Sequence, residues 1–64
     1  MNLAEVRKQR ASQLKSLRLK KRLSRVALSE LSGLNRTTII RLETGNAGWN
    51  VDSELIYIFF LSTL

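Results

Sequence analysis

The chain contains no cysteine, no histidine, no proline and only three glycines. Without cysteine no disulfide can staple the fold, and without cysteine or histidine the common zinc sites are excluded as well. Those are the usual supports of very small domains, because a single core in a chain of 64 residues supplies roughly a few kcal/mol of net stability. Tight helix packing or a partner subunit is left to do that work. The lack of cysteine leaves the redox compartment open, although a tiny secreted domain without disulfides is unusual. The opening stretch, MNLAEVRKQR, has no apolar leader region. The longest apolar run, LIYIFFL, falls far short of the roughly 20 residues that span a bilayer. The expectation is a cytoplasmic protein with no membrane association.

Catalytic equipment is equally sparse. There are five acids in the whole chain, none paired at a spacing suited to acid–base work, and there is no glycine-rich phosphate loop. An enzyme is not expected, nor a metal or other cofactor.

What is present is positive charge, unevenly placed. Through Arg41 the chain carries all eleven bases against two acids, Glu5 and Glu30, a net of +9, whereas from Leu42 onward Glu43, Asp52 and Glu54 meet no base, a net of −3. One part is suited to a polyanion and the other is not. The plainer alternative is that the basic residues merely solvate helix faces.

With no proline and no repeat, glycines and capping residues must separate the segments. Leu3, Val6, Arg10, Leu14 and Leu17 recur at three- and four-residue steps, predicting a first helix that reaches about Lys21. Residues 1–13 form a basic segment extending or preceding that helix, and 14–64 form the rest of a single domain. Ser24 is an N-cap for a short second helix that Gly33 ends. Asn35 caps a third, with Ile39 and Leu42 on one face and Gly45 as its stop. The last segment contains β-favouring Ile, Tyr and Phe and also reads as a strand. A cap at Asn50, acids at 52 and 54, and a stripe of Val51, Leu55, Ile58 and Phe59 favour a helix. Such a helix is apolar nearly all round and exceeds what a chain this short can bury alone. A symmetric dimer through Leu55, Ile58, Phe59 and Leu61 is therefore expected.

Two short helices joined at a glycine turn are the requirement for reading DNA, the first bracing the second, whose N-terminal half reaches base edges. Ser29 is small where the two approach, Gly33 suits a left-handed turn, and Leu34 plugs the corner. The helical period leaves Arg36, Thr37, Ile40 and Arg41 facing outward.

The stretch LSRVALSELSGLNRTTIIRLETG resembles the helix-turn-helix of the lambda-repressor-like Cro/XRE family. The resemblance extends from about Leu14 to Leu61 and is carried by Leu23–Ser24, Gly33, the Ile39/Leu42 pair and the closing LETG at the family's spacing. It implies an all-α, compact four- to five-helix domain and a sequence-specific transcriptional regulator of double-stranded DNA acting as a homodimer. By the same resemblance Arg36, Thr37, Ile40 and Arg41 contact bases, with packing on the last helix an equal alternative for Ile40. Arg25, Asn35 and Asn46 contact phosphates, and Arg18 pairs internally with Glu43. Arginine is the usual bidentate partner of guanine, and a threonine methyl or a nearby apolar group meets the thymine methyl.

Three departures stand out. Arg22 occupies a turn position where the family often has glycine, the NAGWN loop carries no charge for a phosphate, and Arg7, Lys8, Arg10 and Lys15 have no fixed family role. A second class of function is an antitoxin that binds a toxin as well as its own operator, using Val26, Leu31 and the last segment as the partner surface. A basic peptide lying on an anionic membrane accounts for residues 1–22 only. It leaves the arginines after Asn35 unexplained.

Overall fold

The computed structural model describes residues 2–45 and 50–64, and all regular structure among them is helical. Four helices follow one another: α1 (Leu3–Lys20), α2 (Arg25–Ser32), α3 (Arg36–Thr44) and α4 (Val51–Ser62). Each begins at a side-chain cap that satisfies an otherwise orphaned backbone N–H. Asn2 Oδ1 accepts from the Glu5 amide at 2.9 Å, Ser24 Oγ from Ala27 at 3.0 Å, Asn35 Oδ1 from Thr37 at 2.8 Å, and Asn50 Oδ1 from Ser53 at 2.7 Å. Helices α2 and α3 both end on glycines in the left-handed conformation, Gly33 with φ +78° and Gly45 with φ +73°. A side chain at either position would be strained.

The first helix ends differently. Arg22 adopts φ +59°, the left-handed region that a residue with a Cβ enters at a cost. Its side chain is exposed, so nothing is lost in packing when it is removed. Arg22→Gly is accordingly expected to stabilise the fold by about 1 kcal/mol, measured as a higher urea midpoint with unchanged slope. A lower midpoint would show that the arginine side chain makes a compensating contact.

The core gathers Leu14 from α1, Leu28 from α2, Leu34 from the turn, Ile39 and Leu42 from α3, and Tyr57 and Leu61 from α4. Helix α1 packs chiefly on α3. It also runs beside α4 in the same direction, since contacts advance together along the two helices. Arg10 pairs with Glu54, the Tyr57 hydroxyl reaches the Leu14 carbonyl, and Lys21 donates to the Leu64 carbonyl. Residues 3–13 are continuous with the rest of α1, and the backbone of Arg7 and Lys8 passes so close to Gly45 that a Cβ there would lie 3.4 Å from it.

Helix α4 is rotated relative to the stripe expected from hydrophobicity. Its core-facing residues are Glu54, Tyr57 and Leu61, while Val51, Leu55 and Phe59 are exposed and Ile58 is half-buried. The polar groups explain the rotation. Glu54 and Tyr57 each find an ionic or hydrogen-bonding partner inside, so burying them costs little, whereas an aliphatic face turned inward would leave Arg10 and Glu43 without those partners. One member of the expected dimer surface is corrected by this. Leu61 is 0 % exposed and belongs to the core of its own chain.

Candidate nucleic-acid interface

Helix α3 is divided lengthwise. Ile39, Leu42 and Glu43 are buried, and Asn35, Arg36, Thr37, Ile40 and Arg41 are exposed. The turn that presents this helix is tied at several points. Ser29 Oγ donates to the Leu34 carbonyl at 2.6 Å, Ser32 Oγ donates to the Leu28 carbonyl at 2.7 Å, and Ser32 Oγ accepts from the Leu34 amide at 3.1 Å. Leu34 itself is buried. The sequence places small hydroxyls where α2 and α3 meet, and these fix the entry of α3 as much as the glycine does.

Behind the exposed face lies an ionic centre. Arg18 reaches across from α1 as a fork on the Glu43 carboxylate, with Nε 2.6 Å from Oε2 and Nη2 3.1 Å from Oε1. Its third nitrogen, Nη1, donates to the Leu23 carbonyl at 2.7 Å. Two more groups approach the same carboxylate: Arg25 Nε at 3.0 Å from Oε1 and the Tyr57 hydroxyl at 2.6 Å from Oε2. The Leu14 carbonyl lies 2.8 Å from that hydroxyl. The single phenolic proton favours the carboxylate, since an ionised acceptor makes the stronger bond. Side chains from α1, α2 and α4 thus converge on Glu43, which sits on α3 only two positions from Arg41.

The protonation behaviour follows from this geometry. Burial pushes the Glu43 carboxyl up, but hydrogen bonds from Arg18, Tyr57 and Arg25 outweigh it and hold it below the usual carboxylate range. The bond to Glu43 raises the Arg18 guanidinium further above its ordinary value, against desolvation. Burial, with the Glu43 carboxylate as acceptor, also pushes the Tyr57 phenol up, so it remains a protonated donor. Because the folded state holds Glu43 deprotonated more strongly than the unfolded chain does, its contribution is fully present above the unfolded value of about 4.3 and is lost as pH falls through the lower folded value. Urea midpoints are expected to drop as pH falls below about 4.3, and Glu43→Gln is expected to flatten that drop. An equally steep drop in the variant would assign it to other carboxylates.

The expected site residues fall into distinct places. Arg36, Thr37, Ile40 and Arg41 share the exposed surface of α3, and Asn35 caps its first turn. Arg25 lies at the start of α2, half-buried, with its Nε on Glu43, so it divides itself between the ionic centre and solvent. Arg18 and Glu43 are both buried. Asn46, together with Ala47, Gly48 and Trp49 of the loop, lies outside the described residues. Hydrophobic patterning does not reveal the Tyr57 hydroxyl on Glu43 or the separate ion pair in which Arg10 Nε donates to Glu54 Oε1 at 2.8 Å. A signal for both exists: Glu54, Tyr57 and Leu61 are spaced i, i+3, i+7, a helical stripe in its own right.

Among the described residues no helix is long and apolar enough to cross a membrane, and no cluster of His, Cys, Asp or Glu is placed to hold a metal ion. In comparisons with known proteins, no family model matches this chain, no curated protein matches it and no solved structure matches it.

Proposed function

We propose that this protein is a sequence-specific double-stranded DNA-binding transcriptional regulator, in which α2 and α3 act as a helix-turn-helix of the lambda-repressor-like type and the chain works as a homodimer. The observation that carries the reading is the division of α3. Its inner side is anchored by Ile39, Leu42 and the Glu43 ionic centre, and its outer side exposes Arg36 and Thr37 in the first turn and Arg41 in the last. A helix anchored this firmly presents Arg36, Thr37 and Arg41 in fixed directions, which is what hydrogen bonding to base edges demands. Ile40 is 42 % exposed, which favours a groove-facing role over packing on α4.

The backbone contacts follow. The amides at the start of α3 and the Asn35 side chain supply neutral donors to a phosphate. Arg25 supplies a charged one from the free part of its guanidinium. Regulation would proceed by occupancy at a promoter, with no bond made or broken.

An antitoxin role is the second reading, favoured by one observation: Val26 and Leu31 on α2 remain about half exposed, at 46 % and 47 %. The two readings separate in a pull-down from native cytoplasm, since a stoichiometric toxin belongs only to the second.

Selection of duplexes from a randomised library at roughly 0.15 M salt, where nonspecific attraction is weakened, tests the leading reading. Enrichment of a two-fold-symmetric site is the expected result. Uniform recovery with steep salt dependence would reduce the basic face to a phosphate-holding surface.

A further inference from the structure

We infer that the second copy of the chain seats on a groove between α1 and α4, so that Leu55 and Phe59 of each protomer enter the other's groove against Leu17 and Ile58. The inference rests on the homodimer reading above and adds α1 to an interface that hydrophobicity alone confines to α4.

The groove is lined by Arg10, Gln13, Leu14 and Leu17 from α1 and by Glu54 and Ile58 from α4. Leu17 and Ile58 are only partly buried although both pack on the core, so its floor is apolar and open. On α4, Leu55 stands one turn before Ile58 and so borders the groove, and Phe59 stands one turn after Leu55 on its far side, 59 % and 61 % exposed. A depression and an adjoining apolar ridge are the minimum for a two-fold interface, because each patch must both insert and receive.

Charge allows two copies to meet on this face. The chain carries +6, so two copies repel each other wherever bases face bases. The α1 surface continuing outward from the groove consists of Gln9, Ser12, Gln13 and Ser16, with Lys20 only at its far end. This uncharged stretch is unusual in a helix whose other exposed positions include Arg7, Lys8 and Lys15. The one base within the groove, Arg10, is neutralised by Glu54. Two copies meeting here therefore bring together apolar and neutral polar surface, with amide side chains able to hydrogen-bond across the seam. Exposed contiguous apolar surface on so small a domain also calls for a cover.

Sedimentation equilibrium of the full chain from about 1 to 100 µM, a range that brackets micromolar affinity, tests this with three exposed-site variants. Leu55→Glu alters the ridge, Gln13→Lys the α1 wall, and Lys15→Glu a position on α1 away from the groove. The expected result is a dimer for the wild type and for Lys15→Glu. Each of the other two should show a dissociation constant raised by about tenfold or more, with unchanged helical content by circular dichroism. If Gln13→Lys dimerises like the wild type while Leu55→Glu does not, the homodimer stands on α4 alone and the groove proposal is overturned. If the wild type remains monomeric throughout, both the homodimer reading and this inference fall, while library selection still decides DNA recognition independently.

Discussion

Arg18→Ala should lower the stability of the domain by about 3–5 kcal/mol, the range seen when one partner of a buried ion pair is removed. Arg18 is 5 % exposed and Glu43 6 %, so the substitution leaves a carboxylate inside the protein with its bidentate partner gone. Arg25 and Tyr57 remain on Glu43, which keeps the loss from exceeding that range. Arg25 is nevertheless partly solvated and replaces neither the fork nor the bond to Leu23. For a domain of this size such a loss approaches the whole of its stability, and thermal unfolding followed by circular dichroism reads it directly. Arg18→Lys keeps the charge and loses the planar fork. It should give a smaller fall in Tm, with the salt dependence of DNA binding unchanged within error. An unchanged Tm combined with a shallower salt slope would reverse the assignment and make Arg18 a phosphate contact.

The importance of this centre explains which parts of the fold are legible in the residues. Helix ends are local, decided within a turn by a side-chain oxygen or a left-handed glycine, and Ser24, Asn35, Asn50, Gly33 and Gly45 all act where their types and spacing place them. The division of α3 is legible for a similar reason, because Ile39 and Leu42 recur at the helical step among polar neighbours. The orientation of α4 is not local. Nearly every side of that helix is apolar, so hydrophobicity offers no gradient, and the decision passes to two polar groups. Tyr57 turns inward because Glu43 accepts a hydrogen bond from its hydroxyl, and Glu54 because Arg10 lies across from it. Both partners are distant in sequence, on helices whose relative placement has to be known first. Arg25 illustrates the same limit. Its position at the start of α2 is evident from the chain, but its attachment to Glu43 depends on how α2 and α3 meet.

The second large effect is expected on the exposed side of α3. Arg36→Ala and Arg41→Ala should each lower affinity for the selected site by roughly 5- to 150-fold, the equivalent of about 1–3 kcal/mol for a bidentate base contact. Neither side chain is buried and neither has an ion-pair partner among the described residues. The substitutions should therefore leave stability within about 0.5 kcal/mol, and a loss of binding is then a loss of recognition. The pattern across sequences is as telling as the size. A base-reading arginine discriminates at one position of the site, so its removal should relax preference there and leave random DNA bound almost as before. Lys15→Ala provides the contrast. If that exposed base touches the duplex at all, it touches phosphate, and its removal weakens specific and random DNA alike while reducing the salt slope by about one. Titration of the selected duplex and a scrambled one at two salt concentrations separates the cases. Equal losses on both duplexes for Arg36→Ala and Arg41→Ala would place these arginines on the backbone and remove the argument that α3 reads sequence.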